Sequence, residues 1–474
     1  MLPWKTIIRL TPDTRRAVYL QIADDITAEI SSGRVTLGTK LPSSRLLAEQ
    51  LQLNRKTVQL AYDELLSQGW VEIIPYKGTF VKKNLPILKP KALGFIRPSS
   101  PKSPTTLAVK THQINDGTPD YRIAPVTALY KTARFLTESK LSKSVLTGSH
   151  FAGHVSLRQN LAKYLNDTRA LTPTANDLII TRGSQMSIFL ACSVILSPGD
   201  RVIVGHLNYE SANETIRYLG GQLVPVKVTR HGLDIDQIES IIVTQKIKAI
   251  YISPHHHYPT TVTMPIEHRL KLLALAQHHG FYILEDDYDY DYHYAGSPIL
   301  PIASIDQGQQ VIYIGSFSKI LAPSIRMGYM YAHPDIISRC ITIRKLIDRR
   351  GDPIIEKSLS ILIEDGDIQR SIKKAVKIYR DRRDLFCKTL QHKLSDQVSF
   401  ETPDGGMAVW VKFHNLKVKT LKETTLKQHL HLDVDTYSEE DKCRLGFASL
   451  NEDEIEHHLT ILQDSIHRLK HKNT

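Results

Sequence analysis

Between residues 177 and 316, six short apolar runs rich in β-branched residues alternate with longer segments of helical periodicity. The runs are 177–181 (DLIIT), 201–205 (RVIVG), 222–228 (QLVPVKV), 247–253 (IKAIYIS), 281–287 (FYILEDD) and 310–316 (QVIYIGS). Strands that are buried on both faces and separated by helices predict a mostly parallel sheet, and hence an α/β fold. From about residue 346 the pattern changes to helices with few strands, which is typical of a small α+β subdomain.

A second constraint is the segment 84–110, which contains five prolines, five basic residues and no acid. Such a composition cannot build a core and predicts a stiff, partly extended linker. A chain of 474 residues is also too long for one ordinary core. We therefore expect a head at 1–83, the linker at 84–110 and a body at 111–474, with its large subdomain at about 140–345 and its small one at about 346–474.

Composition restricts the compartment. With 41% hydrophobic and 23% charged residues, the chain has the balance of a soluble globular protein. The longest apolar run, 188–196, is about half as long as a bilayer span requires, and the first ten residues lack the apolar core of a signal peptide. Four scattered cysteines form no paired motif, which predicts neither disulfides nor a zinc site. We expect a cytoplasmic protein.

Charge is distributed unevenly along the chain. The first 110 residues hold 17 Lys and Arg against 8 Asp and Glu, whereas the remaining 364 hold 44 against 41. A basic head on a nearly neutral body indicates a polyanionic partner for the head. Charge alone is equally compatible with a solvated basic tail. The secondary-structure elements of the head must therefore distinguish a polyanion-binding domain from such a tail.

The head has three helical segments followed by a hairpin. The first helical pattern ends at Gly33, the second begins in the motif LPSSRLLAEQL, and Asn54 is placed to cap the third, residues 55–69. The segment WVEIIPYKGTFVKK predicts two short strands about a turn at Lys77 and Gly78. This order is that of a winged helix-turn-helix, whose third helix enters a major groove while the wing approaches the minor groove.

These motifs resemble the GntR family of bacterial regulators. The family pattern P-S-x-R-x-L-A, R-x-T-V, A-Y and G-T-F-V is present in order and spacing, although residues 52–54 (QLN) replace a turn that usually contains glycine. The resemblance implies binding to double-stranded promoter DNA. The implied DNA-binding residues are Ser43, Arg45, Asn54, Arg55, Lys56, Thr57, Lys77 and Gly78. A winged helix can also dock on proteins, and this alternative stays open.

In the body, a lysine and several polar residues follow predicted strands. Lys319 lies in the motif GSFSK after one strand, and Asp286 and Tyr288 close another. Tyr209 follows the strand 201–205 and is placed to stack on a ring. An amine for a Schiff base, an acid for a pyridine nitrogen and a tyrosine for the ring's O3′ are what pyridoxal 5′-phosphate (PLP) requires. Taken singly, each residue has a structural explanation; their common order makes the cofactor the stronger hypothesis.

The same cofactor needs an anion site. The strand 177–181 leads into RGSQMS, which is predicted to open a helix whose N-terminal amides suit a phosphate. Gly183 allows close approach, and Ser184 and Gln185 add side-chain donors. From the lysine loop come the hydroxyls of Ser316 and Ser318 and the guanidinium of Arg326.

Residues 111–474 resemble fold-type I PLP enzymes of the class I/II aminotransferase kind. The motifs GSQ, SPHHHYPTTVTMP, EDDYDYDYHY, GSFSKILAPSIRMGY and CRLGFASL match that family in order. With the GntR-like head, the chain is similar to the MocR regulators, to which GabR and PdxR belong. The resemblance implies that Lys319 carries PLP, that Arg444 binds the effector's carboxylate, and that Tyr258 lies among the cofactor-binding residues. It also implies a small-molecule effector, either an amino acid or PLP, and a homodimer that can be domain-swapped.

Several positions depart from the family pattern. Tyr258 stands where true aminotransferases have asparagine, Thr261 replaces the glycine of a P-T-G turn, and Gly148 replaces a tyrosine. These departures disfavour efficient transamination. The run His255–His257 is poorly suited to a metal, because consecutive residues of an extended segment point to alternate sides, so we expect no metal and place one of the three at the cofactor pocket.

Three hypotheses follow. The first is a PLP-dependent transcriptional regulator, the second an active aminotransferase with an accessory DNA-binding head, and the third a cofactor-free DNA-binding or scaffolding protein. Turnover with amino and 2-oxo acids separates the first from the second. The absorbance band of a Schiff base at Lys319, which borohydride reduces to a stable bond, separates the first two hypotheses from the cofactor-free protein.

Overall fold

The structure, a computed structural model, describes residues 4–11, 16–85, 112–140, 142–147, 151–307, 309–435, 437 and 439–472. The chain divides into two compact units, Met1–Thr105 and Thr106–Thr474. Most of the predicted linker and Gly148 lie outside the described residues. Among the described residues, each helix is too short or too polar to span a bilayer.

In its described residues, the head contains four helices and a two-stranded hairpin. They are α1 Trp4–Ile7, α2 Val18–Ser31, α3 Ser44–Leu51, α4 Arg55–Ser67, β1 Val71–Ile74 and β2 Gly78–Val81. Apolar residues at helical spacing on α2 and α4 are fully buried in one core, with Ile22, Ile26 and Val58 at 0% exposure. The antiparallel pair Ile74↔Gly78 closes the wing. The predicted winged helix-turn-helix is confirmed, although the turn lies at residues 75–77 and Gly78 already belongs to β2.

In the turn between α3 and α4, a glutamine takes the conformation that the usual glycine would have. Ser43 caps α3 by accepting a hydrogen bond from the Leu46 amide (3.2 Å), and Asn54 caps α4 through the Lys56 amide (2.9 Å). Between them, Gln52 adopts φ 55° and ψ 40°, the left-handed conformation that glycine adopts without strain. The glutamine therefore carries a backbone cost that a glycine would avoid.

Within the described residues, the body is built on a seven-stranded sheet of order β4-β12-β11-β10-β9-β5-β6. Its strands are β4 Leu178–Thr181, β5 Arg201–Gly205, β6 Gln222–Val226, β9 Ala249–Ile252, β10 Tyr282–Asp287, β11 Val311–Ser316 and β12 Gly328–Tyr331. The α/β expectation is confirmed. The segment of β12 was not predicted as a strand, and it runs antiparallel between β11 and β4.

The remaining elements surround this sheet or form the small subdomain. The helices are α5 Val126–Glu138, α6 Ser142–Thr147, α7 Val155–Arg169, α8 Ser184–Ile195, α9 Glu210–Tyr218, α10 Ile235–Thr244, α11 Ile266–His279, α12 Pro334–Ile347, α13 Pro353–Glu364, α14 Asp367–Leu394, α15 Val418–Leu426 and α16 Glu452–Lys472. The other strands are β3 His112–Asn115, β7 Val228–Thr229, β8 Gly232–Leu233, β13 Val398–Phe400, β14 Ala408–Phe413, β15 Leu430–Asp433 and β16 Lys442–Gly446.

Strand alternation places apolar residues on both faces of the large sheet. Val202 and Leu284 pack with α8, α9 and α12 on one face, while Ile203 and Ile283 pack with α10 and α11 on the other. Because both faces are covered, the strands are apolar throughout, and polar residues gather where the strands end. In the small subdomain, β13, β14 and β16 form an antiparallel sheet.

The glutamine at the α3–α4 turn leads to a stability prediction. Replacing Gln52 by glycine should raise the free energy of unfolding of the head by roughly 1 kcal/mol, because glycine adopts φ 55° without the left-handed penalty. The control, Glu49→Gly within α3, should lower it by roughly 1 kcal/mol, as a glycine in a helix interior does. Urea unfolding of residues 1–85 followed by circular dichroism measures both. A Gln52→Gly variant no more stable than the wild type would show that the turn is unstrained.

Candidate functional site

Polar residues from several strand ends surround one cavity of about 240 Å³ in the body. The parallel pairing of β10 with β11 sets Asp286 beside Ile314, and the antiparallel pairings of β12 bring Ser316 and Thr181 to its two sides at Gly328. The residues that line the cavity are Asp116, Thr118, Ser184, Gln185, Tyr209, Tyr251, Ser253, Tyr258, Asp286, Tyr288, Ser316, Ser318, Lys319, Pro323, Arg326 and Arg444.

The cavity therefore brings together nearly all the residues that were predicted for a cofactor and an effector. Gly183 is not among the lining residues but lies directly behind them, since a Cβ placed on it would be 3.3 Å from the Arg326 guanidinium. The described lining includes none of His255–His257. The roles that the predicted lining residues would have toward a ligand stay predictions.

Lys319 is half-buried, and its amine has a close acceptor. Nζ donates a hydrogen bond of 2.6 Å to the carbonyl of Gly117. Burial lowers the pKa of Lys319 because it strips water from the ammonium; Asp116 and Asp289 oppose this effect, and Arg444 adds to it. A lowered pKa increases the share of neutral amine, which is the form that attacks a carbonyl.

Asp286 has one unpartnered carboxylate oxygen. The Tyr251 hydroxyl donates to Oδ2 at 2.6 Å, while Oδ1 has no partner among the described residues although the residue is only 4% exposed. Burial raises the pKa of Asp286 to about 7, the hydrogen bond from Tyr251 opposes this, and Asp287 and Asp289 add repulsion. A buried acid that lines the cavity and has an oxygen without a partner fits a protonated pyridine nitrogen, which would supply the missing donor.

The N-terminus of α8 lies where the sequence predicts an anion site. Its N-cap, Gly183, has φ 81° and no side chain to cap the helix, so the N-cap residue leaves the first amides of the helix available to an anion. A Cβ on Gly328 would lie 2.8 Å from the Gly183 Cα, so close packing holds this turn in place. The Arg326 guanidinium beside it donates to the carbonyl of Arg182 at 3.0 Å. The donors fit a phosphate.

Two side chains that were predicted to contact the cofactor, those of Tyr288 and Gln185, already have hydrogen-bond partners in the protein. The Tyr288 hydroxyl donates to the carbonyl of His256 at 2.8 Å, so it already has an acceptor outside the cavity. Gln185 directs its amide nitrogen to Thr215 at 2.9 Å, on α9. The ring of Tyr209 contacts that of Tyr258 edge to face at 5.6 Å.

Arg444 is 1% exposed and faces the cavity from the small subdomain. Nε donates to the carbonyl of Asp116 at 2.7 Å, and the guanidinium lies 5.2 Å from the Tyr258 ring centre. Its contacts in the described part of the chain include no carboxylate bond, so it has donors left for an anionic ligand.

Sequence reasoning missed five of the described lining residues: Asp116, Thr118, Tyr251, Ser253 and Pro323. Tyr251 could have been found, because it is the single tyrosine within the otherwise aliphatic stretch 249–252 of a buried strand. Asp116 could not, because it follows β3, far away in sequence, and only the tertiary fold brings it to Lys319.

The three histidines have separate partners. His256 Nδ1 lies 2.8 Å from Asp289 Oδ1, His257 Nδ1 lies 2.9 Å from Thr260 Oγ1, and His255 Nδ1 lies 3.4 Å from Asp287 Oδ1. Among the described residues, no group of three or more His, Cys, Asp or Glu side chains is arranged to hold a metal ion.

In the head, the predicted DNA-binding cations are exposed. Arg45 lies on α3, Arg55 and Lys56 open α4, and Lys77 lies in the wing turn. Within the described part of the head, none of these four forms an ion pair. Ser43 and Asn54 are exposed helix caps, Thr57 is half-buried and Gly78 is exposed.

Comparison with known protein families decides what these two units are. Residues 111–462 match the model of the class I and II aminotransferases, and residues 18–81 match that of the GntR family of bacterial regulatory proteins. The chain belongs to the class I and II aminotransferase family. Its GntR domain implies DNA binding, and the combination makes it a transcriptional regulator of the MocR type.

Individual relatives agree with this assignment. The chain is 26% identical to the probable rhizopine catabolism regulatory protein MocR of Rhizobium meliloti, over 85% of this chain and 83% of that protein. It is 25% identical to the pyridoxine biosynthesis regulator PdxR of Corynebacterium glutamicum, over 81% of each. The Pyrococcus horikoshii kynurenine aminotransferase, solved in complex with PMP, superposes with a TM-score of 0.70 at 26% identity, covering 76% of this chain and 92% of that one. The family implies dependence on PLP.

The raised pKa of Asp286 leads to a pH prediction. The unfolded carboxyl has a pKa near 3.8 and the folded one about 7 without cofactor, so the folded state binds more protons between these values. The stability of the cofactor-free body should therefore fall as pH rises from about 4 to about 7. Asp286→Asn should reduce that loss by at least about 1 kcal/mol.

Calorimetric melting of cofactor-free full-length protein at several pH values between 5 and 8 measures this effect. Asp236→Asn is the control, because the Lys271 ammonium beside that exposed carboxyl lowers its pKa, which gives a pH dependence of opposite sign. Equal slopes for wild type and Asp286→Asn would contradict the assignment of the proton to Asp286.

Proposed function

We propose that the body senses a small molecule through PLP bound as a Schiff base to Lys319, and that this binding controls how the head engages promoter DNA. The effector is an amino acid or PLP itself. The observation that supports the proposal most directly is the convergence of Lys319, Asp286 and Arg326 on one cavity, in a chain whose head is of the GntR type.

Each residue has a defined task in this proposal. When bound, PLP supplies an electrophilic carbonyl and an electron-withdrawing ring. Lys319 provides the amine, Asp286 holds the proton at the ring nitrogen, and the α8 amides with Arg326 hold the phosphate. Tyr251 keeps the Asp286 carboxylate oriented through its 2.6 Å hydrogen bond. Arg444 offers the buried cation that a carboxylate of the effector requires.

The second candidate is an active aminotransferase with an accessory DNA-binding head. The same lysine, aspartate and arginine set favours it, and the relatives include aminotransferases such as aromatic-amino-acid aminotransferase 1 of Thermococcus litoralis. Steady formation of 2-oxo acid product from an amino acid, in the presence of a 2-oxo acid acceptor, would support this candidate over the regulator.

Attachment of the cofactor can be tested chemically. After incubation with PLP and reduction with borohydride, the peptide that contains Lys319 should carry the phosphopyridoxyl mass, because this amine has a lowered pKa and lines the cavity. Lys319→Ala should lose the label and the associated absorbance band while melting at a similar temperature. Lys357→Ala, which changes a lysine outside the described cavity lining, is the control. A label that persists in Lys319→Ala would assign the cofactor to another residue.

DNA binding should divide the cations of the head into two classes. Arg45→Ala should weaken binding to all sequences alike and lower the salt slope by about 1, as loss of one phosphate contact does. Arg55→Ala should cost roughly 1–3 kcal/mol on the cognate site and much less on random DNA, because it opens the helix that enters the major groove.

Gel-shift titrations at several salt concentrations measure both effects. Arg34→Ala is the control, since Arg34 is already paired with Glu29 at 2.6 Å. A truncated body, residues 111–474, that binds as tightly as the whole chain would refute the assignment of DNA binding to the head.

We also propose that the protein is a homodimer, since two heads suit repeated half-sites on DNA.

A further inference from the structure

One carboxylate in the cavity has no charge partner in the proposed function. Lys319 and Asp286 are assigned to the cofactor, Arg326 to its phosphate and Arg444 to a carboxylate of the effector. Asp116 also lines the cavity, and no ion pair joins it to a basic side chain in the described part of the chain. It is near enough to the amine to oppose the lowering of the pKa of Lys319.

Asp116 shares a single hydroxyl with a second carboxylate. The Tyr258 hydroxyl lies 2.7 Å from Asp435 Oδ2 and 3.2 Å from Asp116 Oδ2, and it accepts a hydrogen bond of 3.1 Å from Tyr437. One phenolic hydrogen can satisfy one of the two carboxylates at a time. Two anions that converge on one donor are stabilised by a cation placed between them.

The surroundings of this pair are also acidic. A neighbouring cavity of about 490 Å³ shares Tyr209 with the first and is lined by Glu210, Glu214 and Asp435, while its described lining contains no Lys or Arg. Glu210 is neutralised by Arg217 at 2.6 Å, so Glu214 and Asp435 carry the charge. The region beyond Tyr258, as seen from Arg444, is therefore negatively charged and favours a positively charged group of a ligand.

A buried cation faces the same cavity from the small subdomain. Arg444 is 1% exposed, lines the cavity and lies 5.2 Å from the centre of the Tyr258 ring, and its contacts in the described part of the chain include no hydrogen bond to a carboxylate. A buried cation beside the ring of Tyr258 and two carboxylates at its hydroxyl indicate a ligand that carries both signs of charge.

We propose that the effector is a basic amino acid, of the class of L-lysine or L-ornithine. Its carboxylate binds Arg444, and its side-chain ammonium lies among Asp116, Asp435 and the Tyr258 hydroxyl. This inference rests on the proposed function and narrows it from amino acids in general to those with a second cationic group.

The test uses the full-length protein loaded with PLP, with the cofactor absorbance recorded before any amino acid is added. Calorimetric titrations compare L-lysine and L-ornithine with L-norleucine, which lacks the distal amine, with L-glutamate, and with cadaverine, which lacks the carboxylate. We expect L-lysine or L-ornithine to bind at least about tenfold more tightly than each of the other three, a difference of about 1.4 kcal/mol.

Variants connect this preference to the carboxylates. Asp116→Asn should reduce the preference of the basic amino acid over L-norleucine to about threefold or less, and Asp435→Asn provides a second test from an exposed position where folding is not at risk. Glu440→Gln is the matched control, because it removes an exposed carboxylate that is paired with Lys417 at 2.6 Å. It should keep the full preference.

The outcomes separate this inference from the function on which it rests. Equal affinity for L-lysine and L-norleucine, or a preference for L-glutamate, would overturn the basic effector and leave a PLP-dependent sensor intact. Cadaverine binding as tightly as L-lysine would overturn the amino-acid class, since Arg444 would then have no role. Failure of the protein to acquire the cofactor band before any titration would instead refute the proposed function.

Discussion

Three consecutive carboxyl groups are buried where β10 ends, and the body is organised around their partners. Glu285 accepts the backbone amides of Ile302 and Ala303 at 2.8 and 2.9 Å, and Asp287 accepts the Tyr313 hydroxyl at 2.6 Å and faces His255. Glu285 thus has a partner for each of its two oxygens, whereas Asp287 Oδ1 lacks a hydrogen bond among the described residues and lies 3.4 Å from His255 Nδ1. Asp286, between them, has the Tyr251 hydroxyl alone, and an unpaired buried oxygen is costly. Of the three, Asp286 alone is among the described residues that line the cavity, while the two beside it contact other parts of the protein.

The same chain of contacts connects the sheet to the helices behind it. The Tyr313 hydroxyl that donates to Asp287 also accepts from Arg169 at 3.0 Å, and Arg169 pairs with Asp291 at 2.7 Å, both nearly inaccessible to solvent. A buried pair of this kind destabilises the fold if one partner is removed. Its position behind β10 and β11 fixes the strand ends from which Asp286 and Lys319 face the cavity.

Much of the fold could be predicted because it depends on local patterns. Runs that are apolar on both faces indicated the parallel sheet, and the motifs around Asn54 and the wing indicated the head, down to the caps. The strand β12 was missed because Gly328–Tyr331 is too short to be distinguished from a loop. It forms a strand because it pairs with β4 on one side and with β11 on the other. Gln52 was recognised as a departure, but its left-handed conformation is visible only in the structure.

By itself, the sequence determined which residue types were available for the site: Lys319 in its serine-flanked loop, Asp286 at a strand end, and Gly183 before a helix. Their chemistry and their order along the chain require no coordinates. Only the tertiary structure decided which distant groups join them, because Asp116, Tyr251 and Asp435 come from separate segments that no local pattern connects. It also decided that the Tyr288 hydroxyl donates to His256 and that Asp116 and Asp435 share the hydroxyl of Tyr258, since hydrogen-bond partners depend on which segments the fold packs together.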